Sequence, residues 1–339
     1  MTTDLKLGIA VGYWGASADD ATETVRAAEA LGYESVWTAE AYGSDAFTPL
    51  TWYGARTERI GLGTGIVQLS ARTPVATAMH ALTLDHLSGG RLRLGIGVSG
   101  PQVVEGWYGQ PFPRPLARTR EYLDIMRQVW RREAPATSEG PHYPLPYPGG
   151  TRLGKPLKSI TRPLRPDIPV YLGAEGPKNV ALAAEIADGW TPLFYHPEIS
   201  PGVYADALAA APDGFDIACT VTVLPHEDTA EALRTAKIPL AFYIGGMGAR
   251  DENFHLNVFV RMGFAEAAYK VQELFLAGRR EEAVDAVPDE LADGLSLVGP
   301  LPRIAERLQA WRDSPVTTLL VAGVRDEPGL RALREMVLG

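Results

Sequence analysis

The sequence predicts an α/β fold, a (β/α)8 TIM barrel with insertions. Three observations carry that expectation. Short apolar runs alternate with longer amphipathic ones along most of the chain, four such βα units are complete by Arg132, and no G-x-G-x-x-G follows the first strand. Repeated strand–helix alternation implies a parallel sheet with helical crossovers. The missing glycine fingerprint disfavours the competing doubly wound sheet of the dinucleotide-binding kind. The 339 residues read as a single domain, because α/β barrels run past about 250 residues as one unit.

The elements follow in order. LKLGIAV (5–11) reads as a strand, and 18–33 as a helix, with Ala21, Val25, Ala28 and Leu31 at helical spacing and Gly32 as its stop. SVWTA (35–39) is the second strand, followed by a helix over 47–57. IGLGTGIV (60–67) is the third strand, then a helix from Pro74 to Leu87. LRLGIGV (92–98) and a helix from Pro115 to Arg132 complete the fourth unit, with both prolines where a first-turn proline is tolerated. IPVYLGA (168–174), a helix over 177–189 and DIACTVTVL (216–224) continue the pattern, and LPRIAERLQAWRDSP with VTTLLVAG ends it.

Two stretches interrupt the alternation. Residues 134–168 are proline-rich and cannot form a regular helix; they are expected to make an excursion between strands four and five, a lid or binding loop if ordered, the alternative being surface decoration. Residues 242–264 read as a glycine-rich turn followed by a helix.

Composition narrows the function. A 46% hydrophobic, 22% charged chain is a soluble globular protein. A net charge of −9 argues against nucleic acid or an anionic membrane as partner. The first residues lack a signal-peptide pattern and no run approaches about 18 apolar residues, so a cytoplasmic protein is expected. The single cysteine, Cys219, excludes an intramolecular disulfide and sits in an apolar run as a small hydrophobe. No H-x-x-x-H, C-x-x-C or G-x-S-x-G occurs, and His80 and His86 do not share a helical face, so no metal is expected.

Barrel enzymes act at the C-terminal ends of their strands, which turns position into a candidate set. In GLGTGIVQLS (61–70), Gly61, Gly63 and Gly65 leave one strand face bare. Glycine there marks a bulge or the close approach of a ligand, and the expected occupant is the flat ring of a cofactor. Tyr13, Trp14, Tyr42, Trp107 and Tyr108 fall at strand ends and could wall such a ring. Glu40, Glu105 and Glu175 also lie just past strand ends. Paired carboxylates would serve a glycosidase; the alternative is that they orient backbone amides or pair with Arg72 or Lys178. In GAEGPKNV, a helix beginning at Pro177 would aim the N–H groups of Lys178 and Asn179 at an anion, and Lys178 adds charge.

From LGTGIVQLSARTPVATAMHALTLDHLSGGRLRLGIGVSGPQVVEGWYG through GKPLK, IPVYLGAEGPKNVALAAEIADGW, FYIGGMGARDENF and VGPLPRIAERL, the chain resembles the bacterial luciferase-like monooxygenase superfamily. Within it, the likeness is to the branch that uses the deazaflavin coenzyme F420. The resemblance implies a TIM barrel, commonly a homodimer, that transfers a hydride between F420 and a small organic substrate. It implies a bulge, often with a non-proline cis peptide, at Gly65–Ile66 beside Thr64, backing the ring. Val98, Ser99 and Gly100 match ring-lining positions, and Glu175, Gly176, Pro177, Lys178 and Asn179 match the phosphate-binding turn. One position departs from the pattern. Many relatives carry histidine after the acidic residue that ends strand two, and here Ala41 follows Glu40. Proton supply would then fall to Glu40, Tyr13, Tyr42 or Glu105. The alternative within the family is an FMN-dependent two-component monooxygenase, fed by a separate reductase.

Overall fold

Every strand that the apolar runs predict forms, and two form that they do not. The computed structural model describes residues 5–248, 250 and 252–339. Its strands are β1 (Lys6–Gly12), β2 (Ser35–Thr38), β3 (Gly61–Thr64), β4 (Val67–Gln68), β5 (Leu92–Gly97), β6 (Val170–Gly173), β7 (Gly189–Thr191), β8 (Asp216–Pro225), β9 (Ser296–Gly299) and β10 (Thr318–Ala322). The order β10-β1-β2-β3-β5-β6-β7-β8 closes through a β10–β8 pairing, a TIM barrel of eight strands; β9 extends from β8 and β4 pairs β5. The unforeseen strands are β7 and β9. With only three residues, Gly189–Thr191, β7 is too short to show a period of its own.

The described residues form two compact units. One comprises 11–22 and 35–173. In it β2 pairs β3 with Trp37 level with Gly63, and β5 pairs β6 with Leu94 level with Val170. The helix Pro74–Ser88 starts as its sequence suggests: the Thr73 side chain accepts from Ala76 N–H, Pro74 opens the first turn, and Gly89 ends it at φ 68°. The helix Pro115–Arg131 packs on it, with Trp130 Nε1 donating to the Ala78 carbonyl at 3.2 Å.

The proline-rich excursion belongs to this unit and is tied down along its length. Ser138 and Leu145 form an antiparallel bridge, and Glu121 accepts from the backbone N–H groups of His142 and Tyr143. Arg132 Nε donates to the Ser159 carbonyl at 2.6 Å. Near its end, Arg165 pairs with Asp85 at 2.7 Å, whose side chain is 2% exposed. A buried carboxylate of this kind persists only with such a partner.

The other unit takes up the remaining described residues, 5–10, 23–34 and from Ala174 onward. Here β10 lies between β1 and β8, with Leu319 level with both Leu7 and Cys219. Cys219 is fully buried, and burial pushes its thiol well above the usual range, consistent with a packing role. Beyond β8 the chain builds a helical layer whose core includes Ile244, Phe259, Val271 and Leu291. In the stretch 242–264, expected to open with a glycine-rich turn, residues 242–246 are instead the last part of the helix Thr229–Gly246, and the expected helix follows at Phe254–Arg261. Gly245 is there for space: a Cβ would stand 2.3 Å from Phe275 of the helix Ala265–Leu276. Among the described residues no helix is long and apolar enough to cross a membrane.

Candidate functional site

The end of β3 supplies the first part of the site. Gly63 pairs with Arg93 and Val67 with Ile96, so four steps along β3–β4 match three along β5. One residue is extra, which makes this a β-bulge. Thr64 repairs the ladder where it breaks: its hydroxyl donates to the Gly95 carbonyl at 2.8 Å and accepts from the Gly95 N–H at 2.9 Å. The Thr64 carbonyl occupies space that a Cβ on Gly95 would enter, at 1.9 Å. The Gly65–Ile66 peptide is cis. The Ile66 side chain rests on Gly97 and Gly173, where added Cβ atoms would meet it at 2.9 and 2.8 Å. Gly65 is exposed although Gly61–Thr64 and Val67–Gln68 are buried.

The bare face of β3 is not uniform, since Gly63 is buried and Gly65 exposed. At Gly63 it is covered by protein: Trp37 lies alongside, and a Cβ there would stand 2.2 Å from the indole. Trp37 is held by a bond from its Nε1 to Ser35 Oγ at 2.9 Å and by edge-on contact with Tyr171. Glycine at 63 therefore serves packing, and the expectation of a cofactor along the whole face is corrected at that residue. Backbone open to a flat ligand begins at Gly65.

Glu40, which ends β2, is buried and fully engaged. One carboxylate oxygen accepts from Gln68 N–H at 2.8 Å and from Arg72 Nη1 at 2.9 Å; the other accepts from Arg72 at 3.0 Å and from Ala46 N–H at 3.3 Å. Gln68 returns the contact, its Nε2 donating to the carbonyls of Glu40 and Ala41. The arrangement ties β2 to the residues after the bulge. It matches the orienting role weighed for Glu40 better than proton donation.

The other candidates of this unit are spread around it. Ser99 sits at φ 59°, a left-handed conformation uncommon for a non-glycine residue. Gly100 caps the helix Pro101–Gly106 without a side-chain acceptor. Glu105, on that helix, is exposed and accepts from Phe112 N–H at 3.4 Å. Tyr13, Tyr42 and Trp107 are exposed, while the Trp14 N–H donates to Ser44 Oγ. Tyr108 reaches back to Ala41, its hydroxyl donating to that carbonyl at 3.4 Å. Burial and then the charge of Glu40 push the Tyr108 phenol above its ordinary pKa, so it keeps its proton at neutral pH.

In the other unit, the turn 175–179 is rigid. Glu175 Oε1 lies 2.8 Å from His255 Nδ1, and its carbonyl accepts from Tyr204 at 2.8 Å and Arg261 Nη2 at 2.9 Å. Gly176 caps the helix Pro177–Ile186 with no side-chain acceptor. Asn179 does not offer a free N–H as expected: it donates to the Gly176 carbonyl at 2.8 Å, tightening the first turn. Pro177 has none to offer, which leaves the Lys178 N–H and its exposed ammonium. Arg261 Nε is buried without a hydrogen-bond partner among the described residues.

A sequence description shared by luciferase-like monooxygenases matches residues 5–318. The chain belongs to the luciferase-like monooxygenase family. It is 54% identical, over 95% of its length and 96% of the relative's, to a protein of Mycobacterium tuberculosis that bears the name coenzyme F420-dependent oxidoreductase. It is 30% identical to the 5,10-methylenetetrahydromethanopterin reductase of Archaeoglobus fulgidus, covering 88% of this chain and 87% of that one. Among solved structures it is similar to the coenzyme F420-dependent tetrahydromethanopterin reductase of Methanopyrus kandleri, with a TM-score of 0.76, 25% identity and 99% of each chain covered.

The turn 175–179 is fastened by residues that sequence reasoning passed over. His255 and Arg261 lie on the helix Phe254–Arg261, whose start at Asn253 is legible, since the Asn253 side chain accepts from Leu256 N–H. Their partner Glu175 is 80 positions from His255, and no local pattern signals that pairing. Tyr108 is placed as one aromatic among five in the sequence, whereas its bond to Ala41 singles it out.

Proposed function

We propose that this chain is an F420-dependent oxidoreductase moving a hydride between the deazaflavin and a small organic substrate. The observation that carries the reading is the bulge: an exposed, side-chain-free Gly65 in an otherwise buried strand end, held open by Thr64 and Gly95. The names of the relatives in M. tuberculosis and A. fulgidus support the same cofactor and reaction class.

The residues fit such a group. Thr64, Gly65 and Ile66 would back the ring, and Val98, Ser99 and Gly100 would line it. Lys178, with the helix start after Gly176 and Pro177, would take a phosphate; Glu175 and Asn179 fix that turn. When bound, F420 supplies a carbon that carries hydride and reacts poorly with oxygen. The protein's own work is to position the reacting carbons and keep water away. Glu40 holds the strand ends in place through Arg72 and Gln68. Tyr13 and Glu105, both exposed, stay as the proton carriers for a substrate that needs one.

The test is turnover under nitrogen. Purified protein, reduced F420 and a panel of ketones, enones and imines should restore the deazaflavin absorption band without oxygen. Turnover that appears only when oxygen is admitted, and is faster with reduced FMN, would make it an oxygenase and end this reading.

A further inference from the structure

A small pocket opens in the unit that carries the bulge, between the ends of β3–β4 and β5, the segment after Gly106 and the proline-rich excursion. Its walls include Leu69, Val98 and Phe112, and its polar atoms come from Ser70, Arg118 and Tyr143. Val98 is also a residue assigned to the ring, so the pocket adjoins the place where a substrate would have to lie.

Two polar groups in it are incompletely used. The Ser70 hydroxyl is buried and has no hydrogen-bond partner among the described residues. A buried polar atom of this kind costs free energy unless something binds it. Arg118 is half-buried on the helix Pro115–Arg131. Its guanidinium donates to the Pro111 carbonyl and, at 3.3 Å, to the Tyr143 hydroxyl, and it lies 5.4 Å from the Tyr143 ring. All three neighbours are neutral, and no carboxylate pairs with it among the described residues. A guanidinium has five N–H donors, and neutral acceptors leave both its charge and part of that fork unspent.

The pocket is also held in shape. Glu121, one turn after Arg118 on the same helix, accepts from His142 and Tyr143 N–H and from Ser138 Oγ. That fixes Tyr143 over Arg118, and Tyr143 meets Tyr122 edge-on at 5.4 Å. This part of the excursion forms one wall of the pocket.

We propose that Arg118, with Ser70 beside it, binds the carboxylate of the substrate, so that the oxidoreductase acts on a small organic acid with a short apolar body. The inference rests on the proposed function only for what happens to that acid; the anion site itself stands on the pocket. The apolar walls Leu69, Val98 and Phe112 set the rest of the class, a short hydrocarbon body beside the carboxylate.

The probes are butyrate and benzoate, with butyramide and benzamide as neutral matches, followed by saturation-transfer NMR on the full chain. Each acid should bind at least tenfold more tightly than its amide. Arg118→Gln should abolish that preference and Arg118→Lys should keep part of it, both with unchanged far-UV circular dichroism. Equal binding of acid and amide to the wild-type protein overturns the proposal without any variant, and so does an undiminished preference in Arg118→Gln. F420 titration of the same samples separates the two readings. Acid preference without F420 binding removes the cofactor reading alone; F420 binding with no acid preference removes this one alone.

Discussion

Gly95→Ala is expected to be the most damaging single-methyl change in the chain, costing about 3 kcal/mol and abolishing cofactor binding. The added Cβ would stand 1.9 Å from the Thr64 carbonyl oxygen, a backbone atom that cannot rotate away. Overpacking of a dense interior typically costs about 1–3 kcal/mol, and here the displaced group is the bulge itself. Both bonds between Thr64 and Gly95 would break with it. Gly97→Ala makes the informative contrast, because its Cβ would press on the Ile66 side chain, at 2.9 Å from Cδ1 and 3.1 Å from Cγ1, with the Gly173 carbonyl at an ordinary 3.6 Å. It should cost nearer 1 kcal/mol, at the mild end of overpacking. Urea unfolding checks both values. If Gly95→Ala unfolds at the wild-type midpoint, the Thr64 carbonyl does not lie where the bulge places it.

Glu40→Ala is the second large effect, with a loss of about 3–5 kcal/mol, the range for removing one partner of a buried pair. The Glu40 side chain is 2% exposed and that of Arg72 16%. Alanine would leave Arg72 only its looser pairing with Asp45 at 3.9 Å and leave the buried Gln68 N–H without its acceptor. Glu40→Gln tells orientation apart from proton transfer. The amide oxygen can still accept from Gln68 N–H, so the orienting role predicts lower stability with turnover retained at saturating cofactor and an unshifted pH profile. The opposite result, normal stability with turnover lost, would make Glu40 the acid.

How much of this the sequence shows depends on the range of each interaction. The βα alternation is local, and it yields seven barrel strands and the helices with first-turn prolines, Pro74 and Pro115. β7 escapes because Gly189–Thr191 directly follows the helix Pro177–Ile186, and three residues carry no period against that background. The glycines of β3 are visible, but their reasons differ. Gly63 answers Trp37 from a neighbouring strand, where a Cβ would overlap the indole at 2.2 Å, while at exposed Gly65 a Cβ would make only ordinary contact with Trp37 at 3.5 Å. Only strand register distinguishes them.

The site separates in the same way. The helix start at Pro177 reads as an anion site from Lys178 and Asn179, with Glu175 and Gly176 added only by the family resemblance, although the Asn179 N–H is spent inside the turn. The pocket at Arg118 brings together Ser70, Arg118 and Tyr143 from three distant segments, the last two 25 positions apart. None has a neighbour in sequence that hints at the others. An arginine on an amphipathic helix reads as a solvated face until its partners are seen to be neutral.

The central claim is that the exposed backbone at Gly65 is shaped for a deazaflavin. Fluorescence titration of the purified protein with F420 and, separately, with FMN tests it most directly. Micromolar binding of F420, at least tenfold tighter than FMN, is the predicted result. Tighter binding of FMN, or binding of neither, would contradict it.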